Sequence, residues 1–431
     1  MQDSAAVLPS AAAHDEAPRA FDVARLLAPA QALTVYFAGT SLGPPAIETI
    51  SLADCFGRVL ARDAVAREDH PAHARSTMDG YAVRGGDHRA ERRVIGEIAM
   101  GAQPTRALGV DEALRIPTGG ALPAGADAVV PQEDAERTGD TILVHARVAP
   151  GEFVTQAGED IRAGEAVLGA GRRIGASELG VLATLGMVSL PVYRQPRIGI
   201  ISTGDELVAP DRAPGPGQVR DSNRYALAGA LAALGAKPVH LPHAADTREA
   251  LRAAVHDGLD ACDGLVLTGG SSVGDRDLVP RVVAELATPG IVVHGLRVKP
   301  GKPTLLAAAG SKPIIGLPGN PTSSLMILEA VARPIILAMT GQTLRPPLPL
   351  EALASAPFAG REGWTWYVPV RLSLFGGALL AHPLALRSAH TSLLARASGY
   401  AILGETEARI EAGERVAVYS FVAGGAPVEI A

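Results

Sequence analysis

The residues in this chain best placed for chemistry fall in three short segments rich in glycine, hydroxyl and carboxylate groups. They are Thr203-Gly204-Asp205-Glu206, the run Thr268-Gly269-Gly270-Ser271-Ser272-Val273-Gly274-Asp275-Arg276-Asp277, and Gly316-Leu317-Pro318-Gly319-Asn320-Pro321. Each follows a short apolar run that reads as a strand, and in an open α/β sheet ligands bind beyond the carboxyl ends of the strands. Glycines followed by hydroxyls and a helix start present backbone N–H groups to an anion. Thr203, Gly204, Gly269, Gly270, Ser272, Gly274 and Asp275 are therefore candidate positions for holding a phosphate or pyrophosphate. Glu206, Asp246 and Asp277 would repel that anion unless a cation came between, which points to Mg²⁺ held by these three carboxylates. Lys299-Pro300-Gly301-Lys302 adds point charges for a further anion. A single Gly-rich loop is more often a tight turn and a single Asp more often a helix cap; three such loops on successive strand ends favour a pocket. Neither a Walker A sequence nor G-x-G-x-x-G occurs. Residue types alone thus lead to a phosphorylated ligand with Mg²⁺ and no further.

The elements that must carry these loops are clearest between Gln195 and Gly341, where short apolar strands alternate with amphipathic helices in the βαβ manner. Arg197 to Ser202 reads as a buried strand. Asp221-Ser222-Asn223 offers N-cap chemistry to a helix whose Leu227, Leu231 and Leu234 share one face, and Gly235 closes it. Strand Val239 to Leu241, a helix from Asp246, strand Leu265 to Leu267, a helix from Leu278 to Leu286, strands Ile291 to His294, Pro303 to Ala308 and Ile314 to Ile315, and a helix after Pro321 complete the pattern. Repeated right-handed crossovers would make it a three-layer α/β sandwich. Before it, Phe21 to Asp69 reads as helices flanking a loop. Ser76 to Val148 reads as short strands (Tyr81 to Val83, Ala128 to Val130, Thr141 to Val144), and Ser177 to Leu185 as a short helix. The division expected is a disordered tail over 1–20, a discontinuous helical region over 21–70 and 152–193, a small β-rich domain over 71–151, the α/β domain over 194–342 and a second β domain over 343–431.

Composition agrees with a folded, multidomain chain. Its 431 residues are 47% hydrophobic and 19% charged, with 39 basic against 45 acidic side chains for a net charge of −6. The length implies roughly two to four domains. A mean hydropathy of +0.19 argues against disorder, and a pI near 6.0 argues against a nucleic-acid partner. The 48 glycines and 33 prolines lack any collagen-like period and read as turns. Cys55 and Cys262 have no metal-ligand spacing and are expected as buried thiols in a reducing cytosol. The segment His88 to Arg93 is broken by Glu91 and reads as a solvated face. No basic leader precedes Arg19, and no stretch reaches the ~18 uninterrupted apolar residues of a spanning helix. The nearest, Leu325 to Met339, contains Glu329, Arg333 and Pro334. A cytoplasmic protein with no membrane association is expected.

At the same loops the sequence resembles the molybdopterin molybdenumtransferases, the MoeA and gephyrin E-domain family. The matching strings are Ser76-Thr77-Met78-Asp79-Gly80-Tyr81-Ala82-Val83, Pro117-Thr118-Gly119-Gly120, Gly158-Glu159-Asp160-Ile161, Ser202 to Leu207, Asp221-Ser222-Asn223, Thr268 to Asp275, Lys299 to Pro303 and Leu317-Pro318-Gly319-Asn320-Pro321. They stand in the family's order from about residue 50 to 341 and are highly specific as a set. The resemblance implies an elongated four-domain chain that dimerises. It also implies a transferase that inserts molybdate into adenylylated molybdopterin with release of AMP, using Mg²⁺. It places Asp79, Thr118 and Asp160 on the partner-facing side of the cleft, and Glu206, Asp246 and Asp277 around the nucleotide-linked pterin and the metal. Lys299, Lys302 and Ser323 become anion-binding positions near molybdate and phosphate, with Pro318 and Pro321 shaping the adjoining loop. Contacts with an upstream adenylyltransferase and with recipient molybdoenzymes would follow.

Departures gather near the end of the chain. Pro369 stands where members usually carry Arg, with Arg371 two residues on and on the same face. Ser388-Ala389 replaces a Gly-Ser pair before His390. Gly295 replaces a Lys, with Arg297 nearby as a substitute. Trp364 and Trp366 are expected to be strand-face packing. These changes leave open a second reading, a family paralogue that binds or delivers cofactor intermediates as a scaffold. A third, a pterin adenylyltransferase, would follow from the α/β domain alone; the Ser76 to Val83 string and the two β domains count against it.

Overall fold

Arg197–Ser202 sits at the second position of a six-stranded sheet because its alternation of side chains serves two cores at once. Ile198 and Ile200 face one side and Ile201 the other, and all three are at most 1% exposed. The structure is a computed structural model that describes residues 25–43, 45–87, 90–145, 147–270, 278–387, 389–422 and 424–430. Ser272, Gly274, Asp275 and Asp277, and the tail expected over 1–20, lie outside the described residues. The chain divides into two compact units, one formed by residues up to Glu48 together with Tyr193 onward, the other by Thr49–Val192.

In the first unit the strand order is Lys237–His240, Arg197–Ser202, Gly264–Thr268, Lys312–Leu317, Leu305–Ala309, Pro289–His294. The first four run parallel. The expectation of βαβ crossovers throughout is corrected here: Leu305–Ala309 pairs antiparallel with both neighbours. The two residues between it and Lys312 allow only a hairpin, since a parallel return needs a dozen or more. Helices cover both faces. Asn223–Ala233, Pro321–Ile327 and its continuation pack with Ile198, Ile200, Val266 and Ile315. Arg248–Ala261 and Leu278–Leu286 pack with Ile201, Leu265, Leu267 and Ile314.

The helix at Pro29–Gly39 belongs to the first of these faces. Its Ala32 and Tyr36, one turn apart, are fully buried in that core, and the Tyr36 hydroxyl donates to the Ala307 carbonyl at 3.3 Å. The expectation of a helical region running on to Asp69 is not met. After Gly39 the chain turns to strands at Ile47–Ser51 and Ala64–Val65 with one short 3₁₀ turn between. Ala64–Val65 is too short to show a period in the sequence, and Ile47–Ser51 is exposed along nearly its whole length, without the in-and-out alternation of a half-buried strand.

Pro321–Met339 is continuous and apolar enough by composition to cross a membrane, yet 72% of its most apolar window is buried inside the protein. Pro334 cannot donate to the carbonyl four residues earlier, and the turn before it, Leu328–Ala332, widens to π geometry. Glu329 in that turn is 2% exposed and accepts the Val422 N–H at 3.1 Å. Residues 350–420 form a closed barrel: Thr365–Phe375 pairs with Ala378–Pro383 on one side and Gly399–Leu403 on the other, and the ring runs through Leu350–Ala354 and Arg415–Ser420. Val368, Val370 and Leu372 fill its interior. Tyr367 and Tyr400 point outward into the core shared with the α/β sheet.

In the second unit a six-stranded sheet takes the order Ala128–Pro131, Gly80–Val83, Glu112–Ile116, Glu91–Glu97, Thr141–Val144, Ala135–Thr138. Arg92, read as part of a solvated face, is instead 4% exposed and ion-paired with Asp87 at 3.2 Å. Alternation along Glu91–Glu97 turns Arg92 inward with Val94. Both cysteines are free and buried, and burial raises each thiol's pKa.

Asp263 ties the base of the parallel sheet. Its carboxylate accepts both Arg194 guanidinium nitrogens at 3.0 and 2.9 Å and the Arg197 N–H at 2.7 Å. Burial alone would raise its pKa, but Arg194 and the Arg197 amide outweigh that and hold it below the usual carboxylate value of 3.8. A folded pKa below the unfolded one means stability present above the unfolded value and lost as pH falls through the folded one. We predict that Asp263→Ala costs about 1–3 kcal/mol at pH 7, read by urea unfolding, and that the gap closes as pH falls below the ordinary Asp range.

Candidate functional site

Strand register sets the site. Ser202 pairs with Thr268, and Thr268 with Leu317, so three parallel strands end level and Thr203, Gly269 and Pro318 leave the sheet side by side. From Arg197–Ser202 the chain crosses to Lys237–His240 on one side and returns to Gly264–Thr268 on the other. This reversal opens a crevice at the carboxyl ends, the usual ligand position in such sheets.

Hydrogen bonds hold the loops together there. The Thr203 N–H donates to the Thr268 carbonyl at 3.0 Å and the Gly269 N–H to the Leu317 carbonyl at 3.4 Å. Asn223 Nδ2 donates to Thr268 Oγ1 at 2.9 Å and to the Gly319 carbonyl at 2.7 Å. Asn223 thus bridges the second and third loops, a role its sequence position beside a helix start does not announce. The cap expected from Asp221-Ser222-Asn223 comes from Asp221, whose carboxylate accepts the Arg224 N–H at 3.1 Å; the Ser222 side chain caps nothing. Gly269 has φ +95°, and a Cβ there would lie 2.6 Å from the Thr203 carbonyl oxygen. Only glycine allows that approach.

Glu206 and Asp246 are both exposed at the rim. A Cβ on Gly204 would lie 2.6 Å from the Glu206 carboxylate, so that carboxylate rests against the Gly204 backbone. Asp205 Oδ1 accepts the Asp246 N–H at 3.1 Å and joins the two loops. Among the described residues no cluster of three His, Cys, Asp or Glu forms. Mg²⁺ commonly takes only one or two protein carboxylates and fills its remaining positions with water and phosphate oxygens. The hard oxygen donors Glu206 and Asp246 fit that habit. Beyond Glu206 lies a cavity of about 140 Å³ lined by Leu207, Pro210, Tyr225 and His243 among others.

Pro318 is buried, Pro321 is the first residue of its helix, and Ser323 is 4% exposed on that helix's inner side. Beside Ser323, the Thr322 hydroxyl donates to the His390 carbonyl at 2.6 Å. Lys302 is exposed, and its carbonyl accepts the Leu296 N–H at 2.8 Å. Lys299 is exposed, with its ammonium 4.4 Å from the centroid of the Trp366 ring. Arg297, expected as a stand-in for a missing Lys, is engaged instead: Glu405 binds its guanidinium at 2.7 Å. Arg371 follows Pro369 on the outer face of its strand and pairs with Glu429 at 3.1 Å.

In the second unit, Asp79 precedes strand Gly80–Val83 and Thr118 follows strand Glu112–Ile116. The antiparallel pair Gly80↔Ile116 brings them together. Asp79 Oδ1 accepts the Thr118 N–H at 2.6 Å and its hydroxyl at 2.9 Å, and these bonds, the amide first, hold the exposed carboxyl below its usual pKa. Asp160 is exposed, and its N–H donates to the His70 carbonyl at 3.2 Å.

Residues 23–186 match the MoeA N-terminal region (domain I and II), 199–338 a probable molybdopterin binding domain, and 351–421 the MoeA C-terminal region (domain IV). The molybdopterin molybdenumtransferase of Bacillus subtilis is 33% identical over 383 residues, spanning 86% of this chain and 89% of its own length. The chain belongs to the MoeA family. A protein named molybdopterin molybdenumtransferase from Nostoc sp. is 36% identical over 304 residues, 68% of this chain and 70% of its own. Among solved structures, two MoeA proteins of Pyrococcus horikoshii superpose with TM-scores of 0.75 and 0.79 at 31% and 25% identity. Each covers 92% of this chain and at least 99% of its own. The MoeA likeness therefore includes the barrel in which Pro369 lies as well as the loop-bearing α/β domain.

Asn223→Ala should lower ligand affinity while leaving the unfolding midpoint within a few degrees, since it unties surface loops rather than a core. Calorimetric melting alongside a binding titration measures both. Thr118→Val removes the hydroxyl donor and keeps the amide. The Asp79 carboxyl should then titrate nearer its ordinary value, as read by carbon NMR across the acid range.

Proposed function

We propose that this protein is a molybdopterin molybdenumtransferase, which inserts molybdate into the dithiolene of adenylylated molybdopterin and releases AMP. The observation that carries this reading is the level ending of three parallel strands, so that the Thr203, Gly269 and Pro318 loops meet at the crevice. The backbone N–H groups of Gly204 and Gly270 suit the pyrophosphate link, because fixed amide dipoles stabilise anionic oxygens without rearranging. Glu206 and Asp246, with Asp277 from the residues not described, would hold Mg²⁺, which neutralises phosphate charge and makes AMP a better leaving group. Lys299 and Lys302 supply cations for molybdate, with Ser323, Pro318 and Pro321 shaping the adjacent wall. The hydrogen-bonded Asp79–Thr118 pair and Asp160 are further proposed site residues, and the reading includes a homodimer. A cytoplasmic location is part of the same reading; among the described residues, the helix apolar enough to cross a membrane is mostly buried inside the protein. The five-part division at residues 20, 70, 151, 193 and 342 is part of the same reading.

The second reading, a scaffold that binds intermediates without turnover, is favoured by the pairing of Arg297 with Glu405 and of Arg371 with Glu429. Both arginines are then less available to an oxyanion. The test is AMP release from adenylylated molybdopterin by the purified protein. Release that requires both molybdate and Mg²⁺ is expected; binding without release would establish the scaffold instead. Glu206→Gln should slow release by about 10²-fold and shift the Mg²⁺ dependence to higher concentration.

A further inference from the structure

Lys299 lies in a two-residue strand, Val298–Lys299, that pairs in parallel with Thr365 and Trp366 of the barrel. Lys299 and Trp366 are register partners, so their side chains leave the shared sheet on the same side. The Lys299 ammonium rests 4.4 Å from the centre of the Trp366 ring. Among the described residues no carboxylate is paired with it. The strand contact is secured at its Arg297 end: the Thr365 N–H donates to the Arg297 carbonyl at 3.1 Å, and Arg297 binds Glu405. Trp366 is half-buried, and its Nε1 makes no hydrogen bond among the described residues. The indole therefore offers the lysine its face and nothing else.

We propose that Trp366 is the positioning residue for Lys299, a piece of the barrel that orients the oxyanion-binding cation of the α/β domain. The inference deepens the transferase reading and rests on it. A long ammonium side chain loses considerable rotamer freedom when it binds an anion. A carboxylate partner would order it in advance but would cancel its charge and repel the oxyanion. An aromatic face orders it without cancelling the charge, because the attraction comes from the ring quadrupole. The other half of the ammonium stays open to molybdate oxygens. The chain has only four lysines, Lys237, Lys299, Lys302 and Lys312, against 35 arginines. The compact ammonium at 299 is thus an exception to this protein's habit of using the broader guanidinium.

The test uses full-length protein with molybdate as the probe, comparing Lys299→Ala, Trp366→Leu and Trp366→Phe by equilibrium dialysis. Leu keeps apolar bulk on the strand face and Phe keeps a ring, and neither leaves a new unpaired polar group. Trp366→Leu should weaken molybdate binding about two- to fivefold, and Trp366→Phe should recover most of the loss. A second readout follows the lysines directly. Reductive ¹³C-methylation preserves their charge, and with so few lysines the Lys299 signal can be assigned from Lys299→Ala. That signal should be shifted upfield by the indole, move on adding molybdate, and lose the upfield shift in Trp366→Leu. Molybdate binding unchanged in Trp366→Leu but weakened in Lys299→Ala would overturn the role of Trp366 alone. Binding unchanged in Lys299→Ala would overturn the oxyanion reading of Lys299, and the proposal with it.

Discussion

The level ending of three parallel strands at Ser202, Thr268 and Leu317 is the constraint on which the rest of the site depends. A slip of one residue in any of these registers would turn Ile201, Leu267 or Ile314 from one core to the other. The two hydrophobic clusters that clasp the sheet forbid it. The same packing that stabilises the domain therefore delivers three polar loops to one crevice. Asn223 and the Thr203 and Gly269 amides then join those loops by hydrogen bonds.

The barrel is tied to this arrangement rather than hung beside it. Tyr367, Tyr400 and Phe421 enter the core beneath the long helix, the Val422 N–H reaches the buried Glu329, and Trp366 receives the Lys299 ammonium. The start of Thr365–Phe375 thus reaches the anion loop through its pairing with Val298–Lys299. Arg371 and Arg297 each hold a carboxylate at the positions where the sequence suggested spare positive charge. The electrostatics of this end of the molecule are therefore set by pairing more than by composition.

The α/β elements were legible in the sequence because their apolar runs are long and regular: Leu278–Leu286 spans the residues its pattern indicated, and Gly235 closes its helix at φ +91°. The segment between Gly39 and Asp69 was not legible, since Ile47–Ser51 is exposed along nearly its whole length and Ala64–Val65 is too short to carry a period. The carboxylates, glycines and lysines of the crevice stood out because each is costly or unusual at a strand end. Asn223 did not, because a polar residue beginning a helix is ordinarily a cap. Trp366 did not either: a tryptophan in a strand is ordinarily packing, and only its register against Lys299 gives it another part.

What the sequence alone determined was the kinds of group available and the loops that carry them: glycines free to adopt left-handed turns, carboxylates and lysines flanking them, and the family to which their order belongs. The tertiary structure alone decided which of those groups meet. Sequence spacing says nothing about strand order, and it is strand order and register that set Thr268 beside Thr203, Asp79 beside Thr118 and Lys299 on the face of Trp366. Charge is a property of a residue, but whether that charge remains available to a ligand depends on the neighbour that folding supplies.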